Sequence, residues 1–201
     1  MTSPSAPRLL GADWERDGFR QLGWKLMPLR AFLGVTFVYA ALQKLANPNY
    51  LRASSPTSVV SQMKALESSS PIGGLLRLSL HAPTLVGLMI AFGELAVAVG
   101  VLAGLWTRLA AVGGMLLSLT FFLTVSWATT PYYYGSDIAF LFAWSVLATC
   151  GAGGVLSLDA WIEARAAAAA PRVETGVDEV RRKILIGARS TAMLEIGRAH
   201  V

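Results

Sequence analysis

Apolar residues in this chain come in long blocks, and the polar residues gather between them. Four blocks, roughly 26–45, 84–105, 109–127 and 137–156, each approach the about 20 apolar residues with which a helix crosses a bilayer. The breaks are short and specific. Asn47, Pro48 and Asn49 end the first block, since proline lacks a backbone donor and disfavours further helix. Trp106, Thr107 and Arg108 make a turn too tight for anything but antiparallel neighbours, and Thr129, Thr130 and Pro131 lead into Tyr132, Tyr133 and Tyr134, an aromatic run suited to a membrane interface. Between the first two blocks, 48–83 is the longest connection. There Val59, Val60, Met63 and Leu66 recur at helical spacing within Thr57–Leu66, and Pro71–Pro83 is too short to span. The pattern predicts an all-α fold: a four-helix transmembrane bundle with a long helical extracytoplasmic connection between spans 1 and 2.

Residues 1–25 mix Asp13, Glu15, Arg16, Asp17, Arg20 and Lys25 with Trp14, Phe19 and Trp24, which suits a helix lying at the interface. The expected organisation is an interfacial cytoplasmic segment at 1–25, the membrane domain at 26–158 and a cytoplasmic tail at 159–195. Ala96, Gly100 and Gly104, then Gly114 and Ser118, recur every fourth residue and would let helix backbones approach closely. Asp137 stands where it would cap the fourth helix. Lysine and arginine cluster in the N-terminal segment, at Arg108 and in the C-terminal tail, which predicts a multi-pass protein of the cytoplasmic membrane with both termini cytoplasmic.

The composition fits a membrane protein, with 54% hydrophobic residues, 14% charged and a mean hydropathy of +0.54. The net charge of +5 resides mainly in the tails, so it points to topology and anionic lipid rather than to nucleic acid. One cysteine, Cys150, excludes an internal disulfide, and with two histidines, His81 and His200, no metal or haem site is expected in this chain.

Against this background Glu94 stands out, a carboxylate near the middle of the second block. A charge at that depth costs on the order of 3 kcal/mol, so Glu94 needs a partner or a bundle interior. Arg30 and Lys44, near the two ends of the first block, either snorkel to the interfaces or supply that partner. By residue count Glu94 lies about 15 Å from the outer end of its helix and Lys44 about 5 Å from the outer end of its own. Contact between them then requires a long reach, tilt or a water.

Leu29-Arg-Ala-Phe-Leu-Gly-Val-Thr-Phe-Val-Tyr-Ala-Ala-Leu-Gln-Lys44, Gly93-Glu94, Gly104-Leu-Trp-Thr-Arg-Leu-Ala110 and Gly151-Ala-Gly-Gly-Val-Leu-Ser-Leu-Asp159 together resemble the DoxX/DoxD membrane proteins over about 28–160. The long first connection and Tyr-Gly-Ser-Asp137 are similar to the DoxD branch, the membrane subunit of thiosulfate:quinone oxidoreductase. The resemblance implies thiosulfate oxidation to tetrathionate with reduction of a diffusible quinone. It also implies a smaller second subunit or a Rieske-type iron–sulfur partner, whose cluster ligands this chain lacks; a homo-oligomer is a further arrangement. On this reading Glu94 exchanges a proton with quinone, Lys44 or Arg30 balances its charge, and Tyr39 or Gln43 hydrogen-bonds a quinone oxygen. Arg52, Lys64, Arg77 and His81 supply positive charge for the thiosulfate dianion. The alternatives are that Glu94 merely fixes helix register, and that the protein is a non-catalytic scaffold docking a redox or detoxification partner.

Beyond Pro171 the tail reaches Val180-Arg-Arg-Lys-Ile-Leu-Ile-Gly187. Its last six residues, Ile196-Gly-Arg-Ala-His-Val201, read as the translation of a sequencing adapter, ATC GGA AGA GCA CAC GTC. The expectation is a natural chain cut near Glu195, with 196–201 an artefact and no functional weight on Arg198 or His200. Resequencing from an independent library decides the matter.

Overall fold

The computed structural model describes the backbone of residues 10–169 and the side chains of 18–169. The chain divides into two compact units, residues 1–162 and 163–201, and the site lies in the first. The 180–187 stretch and the adapter-like end lie outside the described residues. Among the described residues there are seven α-helices and no strand: α1 (Leu10–Ala46), α2 (Val59–Leu66), α3 (Gly73–Ser79), α4 (Pro83–Ala103), α5 (Thr107–Phe121), α6 (Ser136–Cys150) and α7 (Leu158–Ala169).

Among the described residues three stretches are long and apolar enough to cross a membrane, Gly18–Ala46, Pro83–Ala103 and Thr107–Ser126. The third includes a π-helical turn, Phe122–Ser126, that continues α5. The fourth apolar block is shorter than its sequence suggests. α6 has 15 residues, about 22 Å of helix against a hydrocarbon core of about 30 Å. It stops because Gly151, Gly153, Gly154 and Leu156 all take positive φ, which no helix continues through. The N-terminal segment differs as well: it is one continuous helix with the first span, with Pro28 inside it.

Each long helix buries a stripe at helical spacing. In α1 it runs through Arg30, Leu33, Gly34, Phe37 and Ala41; in α4 it runs through Gly87, Ala91, Glu94, Val97, Ala98 and Val101. These meet Ala111 of α5 and Trp144 and Leu147 of α6 in one core. The opposite faces are equally apolar, with Phe32, Val35, Leu85, Met89, Phe92, Leu109 and Leu116 exposed. Apolar residues on both faces mark helices whose solvent is lipid. Because lipid removes the hydrophobic drive between helices, close packing of small residues takes its place. The Trp144 ring lies where a Cβ on Gly114 would stand, and it meets Phe37 edge-on at 4.9 Å, a contact worth about 0.5–1.5 kcal/mol beyond its area. Ala96 of the expected ladder is exposed, and Gly104 is the left-handed C-cap of α4. The ladder α4 actually buries is Gly87, Ala91, Glu94 and Ala98, one helical face away.

The connection 47–82 builds its own small core from Tyr50, Val59 and Met63, with Leu51, Val60, Leu76, Leu80 and Val86 around it. α2 begins where the Ser58 hydroxyl accepts from the Ser61 N–H at 3.2 Å, a side-chain N-cap.

At the other end, Arg30 ties three segments together. Its Nε donates to Val101 O at 2.6 Å, Nη1 to Val155 O at 2.7 Å, and Nη2 to Leu102 O at 2.9 Å and Leu156 O at 2.6 Å. The acceptors Val101 and Leu102 are among the last carbonyls of α4, Val101 O also accepting from the C-cap Gly104 N–H at 3.2 Å, and the others belong to the glycine-rich turn after α6. Ser157 Oγ donates to Gly104 O at 2.9 Å and Asp159 Oδ2 accepts from the Trp106 N–H at 2.7 Å, closing the same junction. Arg30→Ala removes four hydrogen bonds, and leaves Val101 O only its bond from Gly104 N–H, in a region that is 3% exposed at Arg30 itself, so its loss should exceed about 3 kcal/mol. Arg30→Lys should restore only a small part, since an ammonium cannot reproduce the planar fork. Unfolding by denaturant in mixed micelles checks both, and a wild-type midpoint for Arg30→Ala would contradict the role.

Candidate functional site

Helix ends set the depth of a side chain, and here the ends of α1 and α4 are not level. Tyr50, four residues beyond the last residue of α1, donates its hydroxyl to Gly87 O, four residues inside α4, at 3.3 Å. A Cβ on Gly87 would meet Val59, Leu51 and Tyr50, so the connection seats itself in the notch that glycine leaves. The first turn of α4 therefore projects past the end of α1, and Lys44 reaches Glu94 directly. Lys44 Nζ lies 2.9 Å from Glu94 Oε1 and 2.8 Å from Oε2, with Ala40 O at 3.4 Å. The long reach or intervening water inferred from counting residues is not needed.

The pair is asymmetric. The Glu94 side chain is 2% exposed and that of Lys44 is 26% exposed, so the carboxylate belongs to the core and the ammonium forms the edge. Lys44 Nζ also stands 5.7 Å from the centre of the Phe121 ring, within the range of a cation–π attraction. Phe121 ends α5 where the π-helical turn begins, and such turns cluster at functional sites. The turn is held by side chains from both flanks. Ser70 Oγ donates to Leu123 O at 2.7 Å, and the Ser126 hydroxyl donates to Asp137 Oδ2. Asp137 thus bonds the turn rather than capping α6, whose N-cap position is Gly135.

Tyr50 is 5% exposed. Burial pushes its phenol up to about 12, and the negative charge of Glu94 adds to the effect. Neither Tyr50 nor Phe121 follows from sequence spacing, because both reach the pair through the folding of the connection and the register of α5.

The other sequence-derived candidates lie elsewhere. Arg30 is fourteen residues from Lys44, about 21 Å along α1, and its donors face backbone carbonyls rather than Glu94. Tyr39 is 67% exposed and Gln43 is exposed, both about 200° around α1 from the buried Phe37 and Ala41; they face outward, away from the stripe. In the connection, Arg77 Nε is paired with Glu67 Oε1 at 2.7 Å. The His81 ring lies 3.0 Å from Leu78 O, and Arg52 is exposed. No hydrogen bond or ion pair joins these three to one another among the described residues. No cluster of three or more His, Cys, Asp or Glu suited to a metal occurs there either.

Two measurements follow from this geometry. Since the folded phenol of Tyr50 ionises above its ordinary value of 10.0, its contribution to stability is complete below that pH and is lost as pH rises through about 12. The phenolate absorbance that develops near pH 12 should shrink in Tyr50→Phe; an unchanged titration would contradict the burial. In a double-mutant cycle, Lys44→Met alone should cost about 3–5 kcal/mol by stranding a buried carboxylate, and adding Glu94→Gln should recover much of it. Additive losses would mean the two do not interact.

No curated protein and no solved structure matches the chain. The model of one family, described as "TQO small subunit DoxD", matches residues 25–174. That description names the small subunit, which replaces the expectation of a smaller companion with that of a partner subunit of unstated size. The match takes in α1 from Lys25, the Lys44–Glu94 pair, the Arg30 junction and the glycine-rich turn after α6, and the chain belongs to the DoxD family.

Proposed function

We propose that this chain is a membrane subunit of a quinone-linked oxidoreductase of the thiosulfate:quinone type, with the Lys44–Glu94 pair as its proton-active centre. Family membership supports the reaction class, and the bidentate contact of Lys44 with the two Glu94 oxygens carries the assignment. Joining two thiosulfates through a new S–S bond releases two electrons, and reducing a quinone consumes two electrons and two protons. The chain's own part is the protons: a carboxylate hydrogen-bonded to an ammonium at the edge of a dry core takes up and releases a proton with little rearrangement.

In this reading α6, with the turn after it, completes a four-helix transmembrane bundle. The distribution of lysine and arginine puts the 47–82 connection outside and both termini in the cytoplasm of a cell-membrane protein. Tyr39 and Gln43, on the lipid-facing side of α1, are then the groups a quinone ring meets on its approach. Arg52 and His81, with Arg77 partly neutralised by Glu67, offer positive charge to thiosulfate, and the partner subunit completes that site. Arg30 takes no part in the chemistry.

The test is reduction of a quinone analogue by the protein purified with its partner, started by thiosulfate. Glu94→Gln should slow it at least about 100-fold, the lower end of what a positioned acid–base contributes, while binding of the partner persists. A wild-type rate no higher than that of Glu94→Gln would overturn the reading. A complex that stays assembled and reduces no quinone would identify the chain as a docking scaffold.

A further inference from the structure

Four hydroxyl side chains in α5, the π-helical turn and α6 share one habit. Thr120 donates to Leu116 O at 2.8 Å, Thr124 to Thr120 O at 2.8 Å, Ser145 to Phe142 O at 2.6 Å and Thr149 to Val146 O at 2.9 Å. Each returns to a carbonyl of its own turn, which satisfies a hydroxyl in an apolar solvent. Ser126 instead donates to Asp137, and Thr107, buried at the start of α5, has no partner among the described residues. Ser118 departs from the habit as well. It is 1% exposed, and among the described residues its Oγ has no hydrogen-bond partner. The indole Nε1 of Trp144, 0% exposed, has none either. An unpaired buried donor costs about 1–3 kcal/mol, so two of them in one core require an account.

They are close in the fold. The atom of the Trp144 ring bonded to Nε1 packs where a Gly114 Cβ would stand, and Ser118 is the next residue along that buried stripe of α5, one turn away at about 6 Å. The antiparallel register fixes their depth. Built as Cβ positions, Gly93 meets Leu117, Gly113 meets Val97 and Gly100 meets Ala110. Glu94 is therefore level with residue 116, and Ser118 lies within about 3 Å of that level along the helix axis. Phe121, whose ring faces Lys44, is one turn beyond Ser118.

We propose that Ser118 Oγ and Trp144 Nε1 bind an internal water at the depth of Glu94, and that this water exchanges protons with the Lys44–Glu94 pair. The second half rests on the oxidoreductase reading; the binding site does not. A hydroxyl offers one donor and two acceptor positions and an indole one donor, which with a nearby α5 carbonyl makes the two to four polar partners that hold a buried water. The ligand is water rather than a quinone head group because both side chains are sealed from the surface.

The test is dipolar cross-relaxation between water and the Trp144 indole proton, measured by NMR on the full chain in lipid nanodiscs, with the resonance assigned by its loss in Trp144→Phe. A water cross-peak in the wild type, reduced severalfold in Ser118→Ala, is the expected result. No cross-peak in the wild type, which needs no variant to fold, overturns the proposal, as does a cross-peak unchanged in Ser118→Ala. The proton role is read separately, from the pH profile of quinone reduction, which should change in Ser118→Ala; an unchanged profile removes that half. A cross-peak in protein that never reduces quinone would retire the oxidoreductase reading and leave the water site standing.

Discussion

A charge in hydrocarbon has to be matched by the protein itself, and α1 carries two such charges, Arg30 and Lys44. Both are matched on α4, one near its middle and one at its C-terminal end. Lys44 takes the carboxylate of Glu94, and Arg30 takes the last carbonyls of the same helix together with two from the turn after α6. Two fixed points, about 21 Å apart along α1 and about 10 Å apart along α4, leave the helices no freedom to slide or rotate against each other. The apolar stripe between them, Leu33, Phe37 and Ala41 against Val97, Ala98 and Val101, packs in the one register those points allow. Leucines and valines alone would not select that register, because lipid is as apolar as they are.

The two matches differ in what they leave available. A guanidinium cannot be deprotonated in a protein, and the four donor contacts of Arg30 are to groups that cannot titrate either. An ammonium facing a carboxylate has a proton both can hold. The 26% exposure of the Lys44 side chain against 2% for Glu94 gives that pair an edge, whereas Arg30 is covered by the Gly104 and Ser157 contacts. One junction is built to be inert and the other is not, and the connection 47–82 lies over the second, with Tyr50 anchored two turns from Glu94 on the same face of α4.

Much of this was legible from residue order. Helices, the tight turn at 104–107 and the need of Glu94 for a partner follow from block hydrophobicity and one misplaced charge. Arg30 was legible as a charge but not as a junction, because its acceptors are backbone carbonyls that every residue owns. The glycine-rich turn at 151–156 reads as apolar sequence, so only its positive φ angles show that α6 has stopped. Tyr39 and Gln43 lie on the outward side of α1 and not beside the pair. Their positions relative to Lys44 and the α1 stripe were available from a period of 3.6 residues, and adjacency in sequence was given more weight than the helical face. The direct Lys44–Glu94 contact was hidden by the assumption that neighbouring helices start and stop at the same depth, which the seat of Tyr50 on Gly87 corrects.

The π-helical turn ties the remaining pieces together. α5 presents a buried stripe of small residues up to Ser118 and the Phe121 ring toward Lys44, and the extra residue in the turn that follows shifts the next side chains around the axis, with Thr124 and Ser126 inward. In a regular helix Thr124 and Ser126 would stand about 160° apart, yet both are buried across this turn and Ser126 meets Asp137. The cost of the irregular backbone is met locally, by Ser70 on Leu123 O and by Thr124 on Thr120 O. The irregular turn begins about 9 Å beyond the level at which Lys44, Glu94, Ser118 and Trp144 put polar groups into an otherwise apolar core. Along α4 and α5, the polarity of the interior is confined to that level and to the Arg30 junction, with Val97, Val101 and Ala111 between them. That apolar stretch separates the Lys44–Glu94 pair from the Arg30 junction.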